Sequence, residues 1–103
     1  LKWEGFALEE ILQWHQPDDA YFYAVHSGCA LDLLMFLRGR KVGVEFKRAD
    51  APKLTRSMQT VLADLDLDEL WVIYPGTRSY PLGEKIKVLP LGECLGSSGV
   101  SVV

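Results

Sequence analysis

The sequence is poor in several features that would each mark a class of protein. It has two cysteines, Cys29 and Cys94, far apart and without the spacing of a metal-binding pair. That excludes a disulfide framework and leaves two reduced thiols as the expectation. No apolar run approaches the roughly 20 residues that a membrane helix needs, and nothing at the start reads as a signal peptide. No membrane association is therefore expected, and the cytoplasm is the expected compartment. Charge of one sign is also scarce. A formal net charge of −3 excludes a domain that grips nucleic acid by bulk electrostatics alone. It does not exclude a nuclease, whose acidic ligands are neutralised only when metal is bound.

What is present has the composition of an ordinary globular protein, and 103 residues suffice for one domain with a modest core. The domain is expected over 1–95, with 96–103 a flexible tail opened by Gly96-Ser97-Ser98-Gly99. The amphipathic pattern is already running by Trp3, so the chain is expected to be a piece of a longer protein. Residues 2–15 carry a helical period, with Trp3, Ala7, Ile11 and Trp14 on one stripe widened by Leu8 and Leu12. Pro17 ends that helix and biases Gln16 away from helical geometry. Tyr21–His26 reads as an aromatic strand, with His26 at its end. A second helix is expected after Asp50 as N-cap, with Pro52 in its first turn and Leu54, Met58, Val61, Leu62 and Leu65 on its apolar face. Leu70–Tyr74 reads as a strand buried on both faces, 77–84 as a loop, and Lys85–Leu89 as a half-exposed edge strand. Trp3, Trp14 and Trp71 are expected in the core. The fold class is α/β: a central mixed sheet of four to five strands flanked by helices.

The segment Leu31–Arg48, LDLLMFLRGRKVGVEFKR, carries the chemistry. It reads as a hairpin turning at Arg38-Gly39, where glycine supplies the positive φ that a short loop requires. A two-residue loop pairs Leu37 with Arg40, and counting back sets Asp32 opposite Glu45; a four-residue loop keeps that register and a three-residue loop shifts it by one. Alternation then places Glu45 and Lys47 on one face, away from Val42, Val44 and Phe46. Opposed carboxylates destabilise a sheet, so such a pair beside a lysine calls for a cation. In the first helix, Glu4 falls inside the apolar arc while Glu9 falls on the solvated side. A carboxylate aimed at the interior is costly unless paired or ligated. With Asp32, Glu45 and Glu4 as ligands, the set suits Mg²⁺ or Mn²⁺, and Lys47 is placed to orient a water or meet developing negative charge.

Asp32, twelve residues, then Glu45-Phe46-Lys47 resembles the motif of the PD-(D/E)XK nuclease superfamily, with Glu4 in Trp3-Glu4-Gly5-Phe6 matching its helical acid. Leu31 stands where that motif has proline. The segments WEGFALEEI, HSGCALDLLMFLRGRKVGVEFKRADAPKLTRSM and DELWVIYPGTRSYPLGEKIKVLPL resemble the nuclease-like domain of unknown function at the carboxy terminus of prokaryotic AAA+ ATPases. That resemblance implies a restriction-endonuclease-like core of helix, three strands, helix and strand. It also implies an ATPase module, in the same or a companion chain, as a partner.

The leading expectation is a metal-dependent DNA phosphodiesterase in which Asp32, Glu45, Glu4 and Lys47 are catalytic. Arg48, Lys53 and Arg56 form a basic group past the second strand, suited equally to phosphates or to a solvated helix face. Two alternatives stay open: a catalytically inactive nucleic-acid-binding or regulatory appendage, and a dimerisation or docking module. Oligomeric state is not legible.

Overall fold

The helix expected at the start forms over the whole of its period. In the computed structural model, which describes residues 2–24 and 30–96, α1 spans Lys2–His15. Its Ala7 and Ile11 are fully buried, and Trp3, Leu8 and Leu12 pack around them. Gln16 leaves the helix with φ +46°, so Pro17 is accommodated outside it. Trp14 departs from expectation, at 60% exposed. His15 turns inward in its place: Nε2–H donates to the Cys94 carbonyl at 2.8 Å, and the ring stacks at a tilt on Trp71.

The strands follow as β1 (Asp19–Ala24), β2 (Ala30–Leu37) and β3 (Arg40–Phe46), an antiparallel meander. Leu37 pairs with Arg40 across the Arg38-Gly39 turn, and both turn residues have positive φ (52° and 83°), the geometry of a two-residue hairpin loop. After α2 (Arg56–Asp64), β4 (Glu69–Tyr74) runs parallel to β3. Beyond it lie β5 (Tyr80–Pro81), β6 (Ile86–Pro90) and the short α3 (Leu91–Cys94). The sheet order is β1-β2-β3-β4-β6-β5.

The mixed α/β sheet flanked by helices is as expected, but it has six strands rather than four to five. The addition is β5, a two-residue pairing that falls inside the expected 77–84 loop and leaves no hydropathy signal. It also moves β6 off the sheet edge, since Tyr80 pairs with Val88. The second helix starts later than expected. Thr55, not Asp50, is its N-cap, with Oγ1 accepting from the Met58 N–H at 3.1 Å. Pro52 is held outside the helix, its carbonyl accepting from the Tyr80 hydroxyl at 2.6 Å. Leu54 is correspondingly exposed.

Two cores sandwich the sheet. Against α1 lie Leu33, Met35, Val42, Val44, Phe46 and Ile73; against α2 lie Leu31, Leu34, Leu70, Val72, Tyr74 and Val88. Strand β4 feeds both, with Ile73 on one side and Val72 and Tyr74 on the other. His26, Cys29 and the tail from Ser97 onward lie outside the described residues.

Candidate metal and active site

The candidate acids gather where β2 and β3 part. The hairpin register runs regularly from Leu37–Arg40 to Leu33–Val44 and stops one step before Asp32 and Glu45. The interruption originates on the other side of β2. Tyr21 pairs with Leu34 but Tyr23 with Leu31, so Asp32 and Leu33 together oppose the single residue Phe22. This is a β-bulge, which re-aims the side chains around it. Leu33 consequently joins the α1 core and Leu31 the α2 core, although two residues apart on a regular strand would share a face.

Asp32 fills the gap that the bulge opens. Its Oδ2 accepts from the Phe46 N–H at 2.8 Å. The next amide, Lys47 N–H, donates to Ile73 of β4, so the Phe46 N–H points the other way, towards β2. The Asp32 carboxylate thus takes the acceptor position that a β2 carbonyl would hold. It also lines a groove on the α1 side of the sheet.

Glu45 and Lys47 share the α2 face with Gly43, whose Cβ, if added, would meet Leu67 and Leu31 of the α2 core. Glu45 is 8% exposed, and its Oε2 meets the Lys47 ammonium at 3.2 Å. Its Oε1 is buried and meets no hydrogen-bond donor among the described residues. Burial pushes the Glu45 carboxyl above its usual range; Lys47 opposes that shift, and the nearby Asp32 charge adds to it. An orphaned buried carboxylate oxygen is rare in native proteins and calls for an explanation, such as a bound water or ion.

Glu4 stands on the α1 side. With Gly5, Leu8, Phe22, Asp32 and Phe46 it lines a groove of about 240 Å³. The expected convergence of three carboxylates on one face is therefore not what forms. Glu4 and Asp32 share the groove, and Asp32 and Glu45 share the electrostatic field. Among the described residues, no three His, Cys, Asp or Glu side chains lie close enough to hold one ion. Glu9 is exposed, as its place on the helical wheel predicts.

The donor set fits a hard divalent cation of the Mg²⁺ kind, which is commonly held by one or two carboxylates with waters and a substrate oxygen completing the shell. Asp32 and Glu45 are the carboxylates that would serve it, and the Glu45 Oε1, without a donor among the described residues, is the observation that supports the fit.

Arg48, Lys53 and Arg56 are all exposed, on the β3–α2 connection and the first turn of α2, and none pairs with an acid among the described residues. Gln59 lines a groove with Leu54, Leu82 and Ile86, apart from the acids. Sequence reasoning missed Arg78, which with Asp50, Tyr74 and Tyr80 lines a cleft beside the end of β3. Its position just past the carboxyl end of a buried parallel strand was the available signal. Cys94 is buried with its thiol pushed up to about 12, which disfavours the reactive thiolate. No helix among the described residues is long and apolar enough to cross a membrane.

Comparison with known proteins gives relatives but no activity. The profile of a family described as a domain of unknown function, DUF4143, matches residues 2–94. An uncharacterized protein of Mycobacterium tuberculosis is 36% identical over 98 residues, covering 95% of this chain. An uncharacterized protein of Mycobacterium bovis matches to the same extent. The chain spans 22% of the length of these relatives. No solved structure matches.

Proposed function

We propose, for a chain that belongs to the DUF4143 family of domains of unknown function, a metal-dependent phosphodiesterase acting on DNA. The observation that carries this reading is the buried Oε1 of Glu45, which meets no donor among the described residues, on a carboxylate whose Oε2 lies 3.2 Å from the Lys47 ammonium and which feels the Asp32 charge. The order α1-β1-β2-β3-α2-β4 supports it further, since it matches the helix, three strands, helix and strand that the PD-(D/E)XK resemblance implies. In this reading Asp32 and Glu45 hold Mg²⁺ or Mn²⁺. The ion supplies Lewis acidity at the phosphoryl oxygen and lowers the pKa of a bound water.

The chain's own groups do the rest. Lys47 donates a hydrogen bond to the attacking water or to the oxygen on which negative charge develops. The water oxygen bonds to phosphorus as the bond to the leaving sugar oxygen breaks. Its proton passes to solvent, and the leaving oxygen takes one back. Glu4 orients a water from the α1 side. Arg48, Lys53 and Arg56 bind flanking phosphates, a role that offsets the net negative charge of the chain locally. A cytoplasmic setting, and an ATPase module in the remainder of a longer protein, complete the proposal.

The test is cleavage of duplex, single-stranded and branched DNA with Mg²⁺ or Mn²⁺. Activity that Asp32→Asn and Lys47→Ala abolish supports the reading; activity that survives both refutes it. One observation favours a second reading, a catalytically inactive DNA-binding or regulatory module. Asp32 already satisfies a backbone N–H, and Lys47 already half-neutralises Glu45. DNA binding without cleavage, indifferent to Asp32→Asn and to metal, would select it.

A further inference from the structure

The register places a second feature next to Lys47. Lys47 N–H donates to Ile73 at 2.9 Å, so the residue after Ile73, Tyr74, neighbours Lys47 across the strand pair. Tyr74 points to the same α2 side as Glu45 and Lys47. Beyond it, the β4–β5 loop and the β3–α2 loop enclose a cleft of about 320 Å³ lined by Asp50, Ala51, Tyr74, Arg78, Ser79 and Tyr80.

Loops at such a place are usually loose, but these two are fastened. The Tyr74 hydroxyl donates to the Arg78 carbonyl at 2.6 Å and accepts from the Arg78 N–H at 3.0 Å. One buried phenol therefore fixes both backbone groups of a single loop residue. Gly76 lies so close under the Tyr74 ring that a Cβ there would overlap it. The Tyr80 hydroxyl ties the other loop through the Pro52 carbonyl at 2.6 Å, and the two tyrosine rings meet edge to face. The backbone of Arg78 is thus held by the fold, while its side chain is exposed and without an acidic partner among the described residues. An exposed guanidinium on a backbone fixed that way, at the carboxyl end of parallel strands, is free to receive an anion from outside.

We propose, resting on the phosphodiesterase reading above, that this cleft binds a phosphate of the DNA strand adjoining the one at Glu45 and Lys47. Arg78 is the binding residue and Tyr74 the positioning residue behind it. Asp50 on the cleft wall repels the same phosphate, so the subsite depends on Arg78 to overcome that repulsion. The loops align a strand that runs from the Lys47 end of β3 across the end of β4.

The experiment is fluorescence anisotropy with a fluorescein-labelled DNA duplex in EDTA, at several salt concentrations. Without metal there is no cleavage to confuse the binding. Arg78→Ala should weaken binding about tenfold and reduce the slope of log K against log salt by about one, the signature of one lost phosphate contact. Its backbone bonds to Tyr74 remain, so folding is unaffected. Arg78→Lys should keep the salt slope and lose part of the affinity. Tyr74→Phe should weaken binding with the slope unchanged, which separates positioning from charge. Asp50→Asn should tighten binding. Unchanged affinity and slope in Arg78→Ala overturns the subsite, and so does weaker binding in Asp50→Asn. Absence of Mn²⁺-dependent cleavage by the parent counts instead against the phosphodiesterase reading.

Discussion

Replacing Glu45 by methionine isolates the cost of burying a carboxylate at this position. The side chain is 8% exposed and one carboxylate oxygen meets no donor among the described residues. A buried polar atom left unsatisfied costs about 1–3 kcal/mol. Against this stands the contact with Lys47, whose side chain is 39% exposed. Solvent screening limits such a pair to about 1 kcal/mol at most. Methionine matches the unbranched shape, removes the orphaned oxygen and buries its own apolar end. Without metal at pH 7, Glu45→Met is therefore expected to be more stable than the parent by about 1 kcal/mol, or about 4–8 °C in Tm for a domain of this size.

The pH dependence has a definite sign. Burial raises the folded pKa of Glu45 above its unfolded value, with Lys47 opposing and Asp32 reinforcing the shift. The folded state thus binds the proton more tightly than the unfolded one. That stabilisation is fully present below the unfolded value of about 4.3 and is lost as pH rises through the folded value. The advantage of Glu45→Met should accordingly grow from acid to neutral pH. Thermal melts in EDTA across that range are the assay. A variant less stable than the parent at neutral pH, or a difference that does not change with pH, would refute the reasoning.

Two further outcomes follow from groups outside the site. Glu69 receives the Trp71 Nε1–H at 2.6 Å and pairs with Arg40 at 2.9 Å and Lys87 at 3.4 Å. Burial pushes its carboxyl up, but these contacts prevail and hold it below the usual range. Its stabilisation is present above the unfolded value and lost as pH falls through the folded one. Glu69→Gln should cost about 0.5–1 kcal/mol at neutral pH and nothing in strong acid, as read by urea titrations at both. Thr55→Ala removes the cap of α2 and should cost about 1 kcal/mol with an unchanged denaturant m-value.

What the sequence discloses here is what neighbouring residues decide among themselves. The period of residues 2–15 yields α1, and Arg38-Gly39 yields a two-residue turn with Leu37 opposite Arg40. The unbroken run Leu70–Tyr74 yields a strand that feeds both cores. What stays hidden depends on partners distant in the chain. The bulge at Asp32-Leu33 exists because β1 pairs out of step on the far side of β2, and nothing in LDLLMFL announces it. The start of α2 is set by a tyrosine 28 residues away that captures the Pro52 carbonyl. Trp14 sits on the predicted apolar stripe, yet His15 takes the inward place because the Cys94 carbonyl offers it a partner. The candidate acids were legible by type and spacing. That Asp32 shares the α1-side groove with Glu4, with Glu45 on the other face, was not.

The central claim is that Asp32 and Glu45 hold a divalent cation, and the most direct measurement is the Mn²⁺-induced change in Tm. A ligand bound only by the folded state stabilises it by about 2.7 kcal/mol at a hundredfold excess over Kd. The parent should show a saturable rise of that order. Asp32→Asn should show none, although its amide oxygen can still accept from the Phe46 N–H, and Glu45→Met should show none either. Equal shifts in all three proteins, or no shift in the parent, would contradict the account.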